Sequence, residues 1–306
     1  MAFAKKIKYI IITLAFALML SSCASSVTED KEGINVTASF YPVYVIASNI
    51  TEGIEGINLK NMAQPQTGCL HDYQLTTADM RTLAESDLFI INGGGMEAFM
   101  DNAFELFPEL TIIDSSEGVY ELESSHSHGE HDEHSGSDEH NHEHNPHFWI
   151  YPENAAIQAQ NICDALCRLY PEKESLLKSN TADFISSVKE IETFYGHGIK
   201  ACVFNEAFDY LEMSYGIHIE LCVEMDENET PSAKELAEII TTVNEEKINL
   251  LIAADDASKA IADTIARETD AKVLVLDPVL TGDFEPSAYV EALNSNARIL
   301  KGSVIK

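Results

Sequence analysis

The stretch TADMRTLAESDLFIINGGGMEAFMDNAFEL, residues 77–106, carries the pattern from which the fold is read. Thr77 to Ala84 has helical spacing, Leu88 to Asn92 is a short apolar run of β type, and Met96 to Leu106 returns to helical spacing. Between them Gly93, Gly94 and Gly95 make a strand-to-helix turn, without the spacing or the lysine of a phosphate-binding loop. Helix, strand, turn and helix in this order belong to a parallel sheet covered by helices. The same alternation extends outward in both directions. Strands are expected at Asn35 to Ser39, Gly56 to Lys60 and Thr111 to Asp114, with helices at Val43 to Ile50 and Glu153 to Leu169. A second set follows, with strands at Ala201 to Phe204, Ile217 to Val223, Leu250 to Ala254 and Val273 to Leu276. The fold class is therefore α/β, two lobes that are each a mainly parallel sheet with flanking helices. Between the sets, Leu176, Leu177, Phe184, Ile185, Val188 and Ile191 suit one helix from Pro171 to Phe194. It reads either as a rigid connector of the lobes or as a surface helix packed inside one domain.

The first residues have a separate meaning. Lys5, Lys6 and Lys8 precede an apolar run, Tyr9 to Leu20, that is short for a bilayer span and suits a signal peptide. The run ends in Leu20-Ser21-Ser22-Cys23, which resembles a bacterial lipobox, with Cys23 as the lipidated residue that anchors the protein to the cell membrane outside the cytoplasm. The expected division is a leader at 1–22, a tether at 23–33, a first lobe at 34–170, a linking helix at 171–197 and a second lobe at 198–306.

The chain has 51 acidic against 19 basic side chains and a formal charge of -32, so phosphate backbones repel it and nucleic acid is excluded as a partner. Beyond Cys23, the cysteines Cys69, Cys163, Cys167, Cys202 and Cys222 lack the paired spacings of a zinc ribbon. Cys163 and Cys167 share a helix face and read as small buried hydrophobes. Cys202 and Cys222 sit on strands that pair a disulfide only if they are neighbours. Residues 124–145 are of low complexity, unable to build a core and expected to be disordered, and carry His126, His128, His131, His134, His140, His142 and His144 among Gly, Ser, Asp and Glu. Dense imidazole and carboxylate offer weak, exchangeable sites for borderline cations.

Three segments carry a more specific signal: Gly68-Cys69-Leu70-His71-Asp72-Tyr73, Asn145-Pro146-His147-Phe148-Trp149 and Phe204-Asn205-Glu206-Ala207-Phe208-Asp209-Tyr210-Leu211. With the histidine-rich run just before the second, they resemble the zinc-binding branch of the metal-specific (cluster A-I) solute-binding lipoproteins of ABC importers. The resemblance covers nearly the whole chain after the leader. It implies two α/β lobes joined by a long rigid helix, a metal in the cleft between them, and a permease as partner. It also implies that His71 and His147 are ligands from the first lobe and that Asp277, in Leu276-Asp277-Pro278, contributes from the second.

At the motif's third histidine the usual His-Asp-Ala-Phe is replaced by Asn205-Glu206-Ala207-Phe208. An amide oxygen is a poor zinc donor beside imidazole. Asn205 itself, Glu206, Cys69 or a loop histidine are the replacements to weigh; Glu206 is expected to point elsewhere once a helix has begun, and a Cys69 thiolate shares a face with His71 if that stretch is extended. His197 and His218 read as surface or packing residues. The function expected is an extracytoplasmic, monomeric receptor that captures Zn2+ and hands it to an ABC permease, not an enzyme. The alternatives are a Mn2+ receptor, favoured by oxygen-rich coordination, a surface metal buffer or adhesin, and a zinc-dependent hydrolase with Glu206 as base. The last lacks a His-Glu-x-x-His helix or any nucleophile motif.

Overall fold

Strand β1 (Ile34–Ala38) is the hub of the first sheet. It pairs in parallel with β2 (Ile57–Asn61) on one side and β3 (Leu88–Ile91) on the other, and β4 (Thr111–Asp114) lies beyond β3, also parallel. The second sheet contains β7 (Lys200–Val203), β8 (His218–Cys222), β9 (Leu250–Ala253) and β10 (Lys272–Val275), again all parallel. The orders are β2-β1-β3-β4 and β10-β9-β7-β8. Counted from each sheet's own first strand the two windings are the same: second, first, third, fourth. These statements come from a computed structural model that describes residues 33–64, 73–123, 144–223 and 230–304. Every expected strand is present with its ends shifted by at most one residue. A short antiparallel ladder of β5 (Leu122–Glu123) and β6 (His144–Asn145), which the sequence did not signal, joins the two flanks of residues 124–143.

The period-two alternation of the strands divides the interior into three clusters. Val36, Ala38, Leu88 and Ile90 from the first sheet and Ala201, Val203, Leu250 and Ile252 from the second all enter one shared core. The residues between them face outward: Phe89 packs with Met62, Leu83 and Met100, and Cys202 packs with Leu251, Val243 and Ile265. The two sheets therefore bury one face each against the same apolar interior.

Helix α1 (Tyr41–Thr51) starts with Pro42 in its first turn and is buried along most of its length, including Val43, Val45, Ile46, Ala47 and Ile50, because it lies inside that shared core. Helix α2 (Thr77–Glu85) begins with a capping box in which Thr76 and Asp79 exchange side-chain and backbone bonds. The helix expected at Met96 to Leu106 is not continuous: a 3-10 turn at Ala98–Met100 leads into one turn of helix, α3 (Asp101–Phe104). Its start is bent back because Glu97 spends its carboxylate on the backbone N–H groups of Asn92 and Gly93, at 2.8 and 3.1 Å.

Helix α4 (Pro152–Leu169) has proline at its first position and is followed by a 3-10 turn, Pro171–Lys173, and helix α5 (Glu174–Lys189). The expected helix from Pro171 to Phe194 is thus shorter at both ends. Leu177, Thr181, Phe184 and Val188 form its buried stripe, which lies against α4 and α1. In the second half α6 (Leu211–Tyr215), α7 (Ala233–Glu245) and α8 (Asp256–Ala266) connect the strands; capping boxes at Ser232/Glu235 and Asp255/Ser258 start the last two. The final helix, α9 (Ala288–Val304), and the loop before it return to the first half. Asn49 Nδ2 donates to Pro286 O at 2.8 Å, and the Tyr41 hydroxyl donates to Asp283 O at 2.8 Å.

Candidate metal site

Residue His147 lies two residues beyond the end of β6 and at the start of a 3-10 turn, Phe148–Ile150, whose three side chains are buried. Its own side chain is nearly sealed, 2% exposed for the residue, with the ring 5.1 Å from that of Trp149. A buried imidazole needs partners. Asn145 Oδ1 accepts from the His147 backbone N–H at 3.0 Å and lies 2.8 Å from His147 Nδ1. Asn145 is itself gripped from the second half: its Nδ2 donates to Glu206 O at 3.0 Å and to Asp209 Oδ2 at 3.2 Å, and the Tyr210 hydroxyl donates to Asn145 O at 2.7 Å. Burial holds the Tyr210 phenol far above its ordinary range, so it remains a donor.

The backbone around His147 is fixed from the other side by the first sheet. Asn92, just past the end of β3, donates through Nδ2 to Pro146 O at 2.9 Å. Asn92 is held in turn by buried Glu97, whose Oε1 accepts from Asn92 N and from Ser39 Oγ, the latter at 2.7 Å. Gly94 is necessary here, since it has φ +63 and a methyl group on it would collide with the Phe148 ring.

Glu206 follows β7 and opens a 3-10 turn, Glu206–Tyr210, that Asn205 caps by accepting from Ala207 N at 3.0 Å. Sequence reasoning expected Glu206 to point away; instead its Oε2 lies 3.9 Å from His147 Nδ1 with the side chain 14% exposed. It stands at the first position of a 3-10 turn just outside β7, and not inside an α-helix. Asn205, weighed as a donor in place of the third histidine, has its amide oxygen committed to the backbone.

Asp277 lies two residues beyond β10, where its Oδ1 accepts from Val279 N at 2.7 Å and its own N–H is held by Asn296 Oδ1 at 2.9 Å. One edge of it is exposed, yet enough protein surrounds the carboxyl that burial raises its pKa, opposed by the Val279 bond. The segment is tied to the His147 region through Trp149, whose Nε1 donates to Pro278 O at 2.9 Å, and through the Tyr289 hydroxyl, which donates to Trp149 O at 2.5 Å.

His71 and Cys69 lie outside the described residues, as do Cys23, His126, His128, His131, His134, His140 and His142. Among the described residues no three His, Cys, Asp or Glu side chains converge as a metal-holding group. His144, the last of the histidine-rich run, is exposed on β6 with Nδ1 3.6 Å from Glu121 Oε2. His197 and His218 are exposed, the first against the Tyr195 ring and the second between Glu212 and Glu220. Cys163 and Cys167 do share a helix face, with sulfurs 3.8 Å apart, and no disulfide joins Cys202 to Cys222. Their strands are neighbours, but Cys202 stands opposite Leu221 and packs in the outer cluster, whereas Cys222 packs against the shared core.

The arrangement puts His147 and Glu206 at the carboxyl ends of the two sheets, where open parallel sheets bind ligands. The family described as zinc-uptake complex component A, periplasmic, or ZnuA, matches residues 36–303. The chain belongs to this family. Its relatives include the zinc-binding lipoprotein AdcA of Streptococcus pneumoniae, 26% identical over 315 residues that cover 97% of this chain and 60% of that protein. The high-affinity zinc uptake system protein ZnuA of Bacillus subtilis is 26% identical, covering 98% of each chain. The chain thus spans 60% of the length of the streptococcal relative. In three dimensions it is similar to the Zn(II)-bound ZnuA-like domain of that AdcA, with TM-score 0.72, 21% identity and coverage of 90% and 100%. The Mn2+ complex of FpvC from Pseudomonas aeruginosa superposes with TM-score 0.74 at 17% identity, covering 89% and 98%. These likenesses establish the two-lobed ZnuA fold.

Sequence reasoning named His147, Glu206 and Asp277 as candidates but assigned nothing to Asn145, Asp209 and Tyr210, although these last three stand in the quoted segments. Asn145 two residues before a candidate ligand was the available signal; that Asp209 and Tyr210 reach it from the second half is a fact of packing alone.

Proposed function

We propose that this protein is an extracytoplasmic receptor, lipid-anchored through Cys23 and monomeric, that captures Zn2+ between its lobes and delivers it to an ABC import permease. The supporting observation is the sealed His147 imidazole with the Glu206 carboxylate 3.9 Å away, one from each lobe, at the carboxyl ends of two like-wound sheets. In this reading His71 and His147 supply imidazole nitrogen, Asp277 supplies oxygen, and Glu206 fills the place left by Asn205. Cys69 is the thiolate alternative. The histidine-rich run gathers metal and passes it to the cleft. The domain division at 34–170, 171–197 and 198–306 belongs to the same proposal, as does the anchoring tether at 23–33. Ligation across the lobes favours the arrangement that brings them together, and release needs that coordination weakened by the permease or by protonation.

One observation supports a second reading. A carboxylate where the motif has imidazole makes the donor set richer in oxygen, which suits Mn2+ better than a three-histidine set does.

The test is a competition titration of Zn2+ and Mn2+, with elemental analysis, on protein lacking residues 124–143, a deletion that keeps His144 and Asn145. Tight 1:1 zinc binding that survives the deletion and falls by at least ~100-fold in His147→Ala is expected, since even an outer partner of a ligand can cost that much. Loss of all tight binding with the deletion would make the chain a surface metal buffer. Tighter Mn2+ than Zn2+ binding would establish the second reading.

A further inference from the structure

We infer that Asn145 is a positioning residue that locks His147 in the Nδ1–H tautomer, so that Nε2 is the nitrogen offered to the metal. The inference rests on the proposed metal site and adds to it which atom binds and what aims it. An asparagine amide has an acceptor end and a donor end, and its orientation is decided by its neighbours. The His147 backbone N–H, always a donor, lies 3.0 Å from Asn145 Oδ1. On the other end stand two acceptors, the Glu206 carbonyl at 3.0 Å and the Asp209 carboxylate at 3.2 Å. Reversing the amide would set NH2 against N–H and oxygen against two oxygens. The oxygen therefore faces His147.

That same oxygen is 2.8 Å from His147 Nδ1. An oxygen at hydrogen-bond distance requires a proton on the nitrogen, so the neutral ring carries it at Nδ1 and has its lone pair at Nε2. A ring bonded in this way has a fixed plane and a fixed tautomer. Asn145 in turn is placed by the second lobe, through Asp209, the Glu206 carbonyl and the Tyr210 hydroxyl, the last 2.7 Å from Asn145 O. Asn145 is 2% exposed, so water does not compete for these bonds. The orientation of a first-lobe ligand is thus set by contacts with the second lobe.

The experiment has two readouts on the chain lacking residues 124–143. Long-range 1H-15N spectra of metal-free protein, with the His147 signals assigned by their loss in His147→Ala, report the tautomer directly. A zinc competition assay then compares wild type, Asn145→Ala and the exchange Asn145→Asp with Asp209→Asn. The exchange keeps an oxygen acceptor toward His147 and restores a donor from position 209, with unchanged total charge. Expected are a protonated Nδ1 in wild type, zinc affinity weaker by ~10–100-fold in Asn145→Ala, and recovery of most of the loss in the exchange. A protonated Nε2 in wild type overturns the inference, and so does unchanged affinity in Asn145→Ala when His147→Ala has lost binding. If His147→Ala binds zinc like wild type while Nδ1 is protonated, the metal-site reading fails and the tautomer assignment is upheld.

Discussion

Both sheets wind second, first, third, fourth, and each has a glutamate in the turn after one of its two central strands, yet the two glutamates do opposite things. Glu97, after β3, is buried, and Ser39 Oγ and the N–H groups of Asn92 and Gly93 donate to its oxygens. Glu206, after β7, keeps part of its surface open and points an oxygen at His147. The difference follows from what each turn lacks. The Gly93 to Gly95 turn leaves backbone donors inside the protein, and a carboxylate is drawn in to satisfy them. In the turn after β7 it is Asn205, not the glutamate, that accepts from the backbone, at Ala207 N. Like topology places a turn at the same point of each sheet, and local capping decides which carboxylate the backbone takes up.

The harshest way to break the comparison is to separate the halves. Trp149→Ala removes a fully buried ring and its bond to Pro278 O, and should cost ~3–5 kcal/mol in urea denaturation. Two separate transitions of unchanged total stability would show that the halves do not depend on this joint.

Glu97 is distinguished by pH. Burial pushes its carboxyl up to about 7, assisted by Asp114 and opposed by the Ser39, Asn92 and Gly93 bonds. The folded state therefore binds a proton more tightly than the unfolded chain, and its contribution is fully present at low pH and lost as pH rises through about 7. The stability of wild type relative to Glu97→Gln should fall by roughly 3 kcal/mol between pH 5 and pH 8. Any fixed cost of the glutamine is the same at both ends, so a flat difference would remove Glu97 from the titrating groups.

Glu206→Gln should behave the other way, leaving the urea midpoint in place and weakening zinc about tenfold, ~1.4 kcal/mol. A stability loss without an affinity loss would make it a second structural glutamate and abolish the contrast. The smallest effect belongs to the cap itself. Asn205→Ala should cost about 1 kcal/mol of stability, while Asn205→His, which puts imidazole at the motif's third position, should cost a similar amount and tighten zinc binding. Unchanged affinity in Asn205→His would mean that position 205 does not face the metal.

Much of this was legible in the residues. The strands were found to within one residue because an apolar run ended by a turn is a local signal, and the helices at Val43 and Glu153 because periodicity marks them. The helix expected from Met96 failed because Glu97 bonds backward to Asn92 and Gly93, a side-chain choice that propensity does not encode. Glu206 was placed facing away on the premise that a helix had begun there, whereas the segment is a 3-10 turn that Glu206 opens. Cys202 and Cys222 could not be judged until the register of β7 on β8 showed them opposed to different partners.

The sequence by itself determined that the chain is α/β with two sets of parallel strands and that it is strongly acidic, while His147 was singled out only by the resemblance to a known family. The first two conclusions rest on short-range periodicity and on residue counts. Only the tertiary structure decided that both sheets share one core, that Asn145 is oriented by Asp209 and the Glu206 carbonyl, and that Glu206 approaches His147. The Asn145 bonds span 61 and 64 positions, and hydrogen-bond direction across such a distance is set by packing.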